Sequence, residues 1–114
     1  MAKLRNIHPG EILLEEFLKP FGISAYRLSK DIYIPQTRIS QILQGNRRIT
    51  TDTVLRLSKY FGNSANFWMG LQTDYDIEVA RRALVSEIKS IQRFVSPAVK
   101  FSSIEWHRIS LQLN

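Results

Sequence analysis

The feature that most constrains this chain is residues 24–45, where two short amphipathic patterns are separated by a very tight connection. Ser24 is suited to cap the first helix, and only two or three residues around Tyr33 separate that helix from the second. Pro35 suits the first position of the second helix, because its missing N–H has no partner there in any case. We expect this helix to end one or two residues before Gly45, which supplies a left-handed cap.

Two short helices joined by so tight a turn must cross at a large angle. The first helix is expected to bury Ala25 beside the larger apolar side chains of both helices. The apolar residues that we expect to pack in the elbow are Leu28, Ile32, Ile34, Ile39 and Ile42. The outward face of the second helix is polar and contains no carboxylate, and it consists of Gln36, Thr37, Arg38, Ser40, Gln41 and Gln44.

This polar face matches what the major groove of DNA accepts. The groove admits an α-helix, Gln can bond bidentately to adenine and Arg to guanine, and a Thr methyl can meet the methyl of thymine. The predicted base-contacting residues are Gln36, Thr37, Arg38 and Gln41, near the start of a recognition helix. The predicted phosphate-contacting residues are Ser24, Tyr26, Arg27, Arg47 and Arg48, which fix register without reading sequence. A face of this composition is also compatible with simple solvation.

The positive charge is concentrated in the same part of the chain. The formal net charge is +6, and residues 24–60 carry seven basic and two acidic side chains, a net charge of +5. A local basic surface attracts polyanions, with an affinity that falls steeply as salt rises. Taken alone, the charge fits a solvated basic face equally well.

The flanking segments predict further helices and an all-α fold. A first helix is expected over 10–19, ended by Pro20 with Gly22. A fourth is capped by Thr50 or Thr51, has apolar positions 54, 55, 57, 60 and 61, and ends at Gly62. A fifth is capped by Ser64, carries Phe67, Trp68 and Leu71, and can continue as far as Ile88 with a bend near Gly70. We expect a DNA-binding domain over 1–92 and a C-terminal extension over 93–114.

Other chemistry has little support in the sequence. The absence of cysteine excludes disulfides and thiolate metal sites, and His8 and His107 lie too far apart in the chain to suggest a metal site. His8 is expected to brace the first helix. No phosphate-binding glycine loop or nucleophile motif is present, so we expect neither an enzyme nor a cofactor. With no long apolar stretch and no signal-peptide core, a cytoplasmic location is expected.

Three stretches together resemble a known family. They are HPGEILLEEFL from His8, PQTRISQILQGNRRIT from Pro35, and the pair Phe67-Trp68. This combination, over about residues 5–92, resembles the HigA antitoxins, also called virulence-associated protein I, within the XRE group of Cro/C1-type repressors.

The resemblance implies a five-helix, lambda-repressor-like domain, with an extended fifth helix and a C-terminal tail in this chain. It also implies a homodimer on a palindromic operator, repression of its own operon, and neutralisation of a HigB-type toxin that cleaves mRNA. The predicted base-contacting residues fall on the matching positions of the motif. Two alternatives remain open: a stand-alone regulator without a toxin, and an interaction adaptor whose helix-turn-helix no longer binds DNA.

Two features depart from the family pattern. Many helix-turn-helix turns have Gly where this chain has Tyr33, so we expect either a different turn or a tolerated strain of about 1 kcal/mol. The chain also continues past the fifth helix. Its tail combines a capping box at Ser102–Glu105 with strand-like alternation of Ile109, Leu111 and Leu113. A loosely packed terminus and a dimer or toxin contact both fit this pattern.

Overall fold

The computed structural model describes residues 5–95, and these residues contain six helices and no strand. Helix α1 spans residues 9–21 and is followed by α2 (Ala25–Ile32) and α3 (Gln36–Leu43). Helices α4 (Thr51–Phe61), α5 (Ala65–Ala83) and α6 (Val85–Ser90) complete this part of the chain. The all-α prediction is confirmed for the described residues. The predicted count of five is wrong, because Leu84 interrupts the last helical pattern and a short sixth helix follows.

Helix α1 begins and ends differently from the prediction. It starts at Pro9, because the Nδ1 atom of His8 accepts the N–H of Gly10 at 2.9 Å and caps the helix. The helix then widens into a π-helical stretch, Leu13–Leu18. Pro20 does not end it, since the helix runs on to Phe21 through this wider stretch. Gly22, with φ of 65°, is the actual left-handed stop.

Helices α2 and α3 form the predicted elbow. The Oγ atom of Ser24 accepts the N–H of Arg27 at 3.0 Å, as expected of a cap. Pro35 is the N-cap of α3 and not its first residue, as had been predicted. Its ψ of 139° is extended, so α3 begins at Gln36. Gly45, with φ of 79°, ends the helix as expected.

The core lies where these helices meet. All five residues predicted for the elbow are buried, whereas Ala25 is only half-buried. The same core cluster also contains Leu13, Leu18, Ile49, Val54, Leu57 and Trp68. Leu55, one of the apolar positions of the fourth helical pattern, is 59% exposed.

The start of α1 packs directly against the end of α3. A Cβ atom added to Gly10 would lie only 1.7 Å from the carbonyl oxygen of Ile42. The His8 ring packs edge-on against the Tyr75 ring, with 4.9 Å between the centroids. His8 therefore braces α1, as predicted, and also contacts α5.

The later helices match the predicted caps in part. Ser64 caps α5 by accepting the N–H of Phe67 at 3.1 Å. Thr50 lies at the N-cap of α4, but its side chain makes no capping hydrogen bond. Helix α5 continues through Gly70 without a break.

The chain divides into two compact units between Leu84 and Val85, and each is described by itself. The second unit contributes α6 and the exposed residues that follow it, as far as Val95. The predicted capping box and alternating segment of the tail lie outside the described residues, as does His107. No helix within 5–95 combines the length and apolarity needed to cross a membrane.

Candidate nucleic-acid interface

The outward face of α3 is available for a partner. Gln36 and Thr37 are exposed in its first turn, while Arg38 and Gln41 are half-buried. Within the described part of the chain, the side chains of Gln36, Thr37 and Arg38 have no hydrogen-bond or ion-pair partner. Their donors and acceptors are therefore free to bond to a partner that approaches this helix.

Gln41 is the exception among the four predicted base-contacting residues. Its Oε1 atom accepts a hydrogen bond of 2.8 Å from Nη1 of Arg47, a predicted phosphate-contacting residue. The structure thus joins one residue of each predicted set. The role of each set in binding DNA stays a prediction.

The loop that carries Arg47 is fixed at both ends. At its start, the N–H of Gly45 bonds to Ile42 O at 3.0 Å and the N–H of Asn46 to Gln41 O at 2.9 Å, which closes a Schellman motif. At its end, the N–H of Ile49 donates to Oε1 of Gln72 at 2.7 Å. Both ends of the basic loop are therefore held against helices.

Gln72 extends this anchor through α5. The side chain is 1% exposed, and its Nε2 atom donates to Oδ1 of Asp76 at 2.9 Å. The other carboxylate oxygen of Asp76 accepts from Arg48 at 2.8 Å. Arg48 was predicted to contact phosphate, but it is already paired with α5.

The remaining predicted phosphate-contacting residues lie along α2. Ser24 uses its hydroxyl as the helix cap, and Tyr26 is exposed with Nζ of Lys30 5.3 Å from its ring centroid. Arg27 forms an ion pair of 3.4 Å with Asp31. The hydroxyl of Tyr60 also donates to this carboxylate, and this hydrogen bond raises the pKa of Tyr60. The basic surface is therefore less positive at Arg27 than the sequence alone suggests.

Three comparisons connect this geometry with known proteins. A helix-turn-helix family model matches residues 14–68. Virulence-associated protein I of Dichelobacter nodosus is 50% identical over 76 residues, which cover 67% of this chain and 70% of that protein. The solved structure of a HigA-family addiction module antidote protein from Coxiella burnetii is 44% identical, with a TM-score of 0.75 over 80% of this chain and 100% of that one.

The chain belongs to the HigA family of helix-turn-helix proteins. A further relative is the Pseudomonas aeruginosa antitoxin HigA, whose structure was solved with the higBA promoter. It is 38% identical to this chain, with a TM-score of 0.76 over 80% of this chain and 100% of that one.

Arg56 of this HigA-family chain has a structural role beyond its contribution to the net positive charge. Its Nη1 atom donates to the carbonyl oxygens of Ile32 at 2.8 Å and Tyr33 at 3.1 Å. Its Nε atom donates to Asp52, one turn earlier in α4, at 3.1 Å. Arg56 therefore ties α4 to the turn between α2 and α3. The spacing of four positions between Asp52 and Arg56 predicts an ion pair within α4, but it does not indicate the bonds to the turn.

Proposed function

We propose that this chain is the antitoxin of a type II toxin–antitoxin pair and a sequence-specific repressor that binds the operator of its own operon. The observation that carries the proposal is the outward face of α3, where Gln36, Thr37 and Arg38 have no partner among the described residues. A relative from Pseudomonas aeruginosa with the same fold was solved together with promoter DNA.

In the proposed complex, α3 enters the major groove. Gln36, Thr37 and Arg38 lie at its N-terminal end, which is the part of a recognition helix that reaches base edges. Arg47 has donors left to bond to the phosphates beside the groove. Arg27 can bind phosphate only if it shares its donors between phosphate and Asp31, or if it breaks its ion pair with Asp31. The same holds for Arg48 and its ion pair with Asp76.

We further propose that the protein binds DNA as a homodimer. Two copies related by a two-fold axis present two recognition helices, which must be about 34 Å apart to enter successive major grooves on one side of the duplex. The operator is then an inverted repeat with half-sites one helical turn apart. The affinity of such a dimer must fall steeply with salt, because several phosphates are neutralised in each half-site.

The toxin-binding part of the proposal follows from membership of the HigA family. The expected partner is a HigB-type toxin encoded by a neighbouring gene. No catalytic role is proposed for the chain itself.

Footprinting of the full chain on the DNA upstream of its gene tests the proposal. We expect the protein to protect an inverted repeat. When either half-site is scrambled, we expect this protection to be lost and only non-specific binding to remain. Co-expression with the product of the adjacent small reading frame tests the toxin partner. We expect the two proteins to co-purify, and we expect this chain to restore the growth of cells that express the toxin. A footprint without a toxin identifies a stand-alone regulator, and the absence of any footprint contradicts the repressor function.

A further inference from the structure

The hydrogen bond between Arg47 and Gln41 is a specific feature of the proposed DNA-binding surface. Nη1 of Arg47 donates to Oε1 of Gln41 at 2.8 Å, although the two residues are six positions apart. The neighbouring Arg48 has the same charge but bonds to Asp76 in α5 instead. Of the two adjacent arginines, only Arg47 touches a predicted base-contacting residue.

The backbone explains why Arg47 reaches this position. The left-handed conformation of Gly45 reverses the chain after α3, and the N–H of Asn46 returns to the carbonyl oxygen of Gln41 at 2.9 Å. The loop therefore doubles back along the last turn of α3. Both oxygens of Gln41, in the backbone and in the side chain, accept hydrogen bonds from this loop.

The bond has a chemical consequence for base reading. Bidentate recognition of adenine requires the Gln oxygen to accept from N6 and the Gln nitrogen to donate to N7. An amide that is free to turn over can exchange these two atoms and present the opposite pattern. A donor at Oε1 removes that freedom. Because a carbonyl oxygen has two lone pairs, Oε1 can still accept from a base while Arg47 is bound.

Arg47 also has bonding capacity to spare. A guanidinium has five N–H donors, and in residues 5–95 the side chain of Arg47 bonds only to Gln41. The free donors suit a phosphate oxygen, for which bidentate arginine bonding is favourable. One side chain can therefore contact the backbone of the duplex and orient a residue that contacts a base.

We propose that Arg47 is a positioning residue for specificity: it fixes the amide of Gln41 in one orientation while it binds phosphate. This inference rests on the proposed function and adds to it, because Arg47 was expected to contribute affinity alone. Loss of Arg47 is then expected to relax the preference at the base pair that Gln41 contacts, in addition to weakening binding to every sequence.

The test is a double-mutant cycle with the full-length chain and a library of duplexes randomised across the protected site. Gln41→Ala is expected to reduce the preference at one base pair of each half-site about 10-fold, within the range for loss of a bidentate pair. Arg47→Ala should reduce the preference at that same base pair. In the Gln41→Ala background, Arg47→Ala should lower affinity without further loss of preference. Lys59→Ala is the control, because it removes an equal charge from an exposed position of α4 that belongs to neither predicted set. Its base preferences should equal those of the wild type.

The outcomes separate the two proposals. If Arg47→Ala binds more weakly but keeps all wild-type base preferences, the positioning role is wrong and the repressor function stands. The positioning role is also wrong if Arg47→Ala changes preferences equally with and without Gln41. If the wild type has no base preference, the repressor function itself fails. Thermal melts of all four variants, compared with the wild type, confirm that the proteins are folded.

Discussion

The guanidinium of Arg56 donates a hydrogen bond of 3.1 Å to the carbonyl oxygen of Tyr33. Tyr33 has φ of 60° and ψ of 45°, and it is the one non-glycine residue within 5–95 with a positive φ. Of the two outcomes expected for this position, the structure has the tolerated strain and not a different turn. Arg56 bonds to the strained turn and links it to α4.

Replacing Tyr33 with glycine should stabilise the protein. The left-handed conformation is unfavourable for a side chain with a Cβ atom and open to glycine, and the Tyr33 side chain is 84% exposed, so little packing is lost. We expect Tyr33→Gly to raise the free energy of unfolding by about 1 kcal/mol, after the larger backbone entropy of unfolded glycine is included. Urea unfolding at fixed protein concentration measures this change.

Gly22 offers the opposite substitution as a control. It has φ of 65°, and a Cβ added there would meet no atom within 4 Å. Gly22→Ala should therefore destabilise the protein by about 1 kcal/mol through backbone conformation alone. Equal stability of Tyr33→Gly and the wild type would mean that any strain at the turn is no larger than the entropic cost of glycine, which contradicts the expected gain.

Gly10 is expected to be intolerant of any side chain. Its Cβ would lie 1.7 Å from the backbone oxygen of Ile42, and backbone atoms cannot move aside as a flexible side chain can. We expect Gly10→Ala to lower the free energy of unfolding by about 3 kcal/mol, as overpacking at a rigid contact does. Because α1 must separate from the end of α3, operator affinity should fall as well.

Gly70 is the matched control for the same substitution. It lies inside α5, and nothing lies within 4 Å of an added Cβ. Gly70→Ala should stabilise the helix by about 0.5–1 kcal/mol, the propensity difference between the two residues. If the two alanine variants have similar stabilities, the close approach of α1 and α3 is not present in solution.

Stability should fall on acidification because of His8. Burial lowers the pKa of His8 from its ordinary value of 6.5, against a smaller opposing effect of Asp76, which is itself paired with Arg48. With the folded-state pKa below the unfolded one, the unfolded chain binds the proton first. The contribution of neutral His8 is therefore complete above pH 6.5 and is lost as the pH falls below it. Protonation of Nδ1 would also remove the acceptor for the N–H of Gly10.

The variant His8→Asn isolates this effect. Asn can accept the same capping hydrogen bond but does not titrate. Unfolding measured between about pH 7.5 and about pH 5 should show a steeper loss of stability in the wild type than in His8→Asn, since only the wild type gains a proton at this site on unfolding. Parallel pH profiles would mean that His8 does not titrate differently in the folded protein.

The elbow was predictable because it depends on local pattern. The spacing of the apolar residues from Leu28 to Ile42 determines which side of each helix is buried. Gly45 predicts the helix end because few other residues adopt the left-handed conformation found there. Two of the errors in helix boundaries lie at prolines. Pro20 lies inside α1, where the preceding turn is π-helical. Pro35 is the N-cap of α3 and not its first residue, because its backbone is extended.

The long-range bonds of the candidate site were not predictable in the same way. Arg56 reaches a turn 23 positions earlier, and Gln72 reaches Ile49 across the same sequence distance. Nothing in the local pattern around either residue specifies such a partner, because the contact depends on how whole helices pack. Arg47 and Gln41 are closer together in the sequence, but their bond could be predicted only from the direction that the loop takes after Gly45.

Operator affinity of the Arg38→Ala variant tests the central claim most directly, since that claim is that the exposed start of α3 reads base identity. The full-length variant should bind the footprinted site about 1–3 kcal/mol more weakly and lose preference at one base pair of each half-site. Lys19→Ala, which removes an equal charge from the end of α1, should leave base preference unchanged. If Arg38→Ala binds with wild-type affinity and wild-type preference, α3 does not read the operator as described.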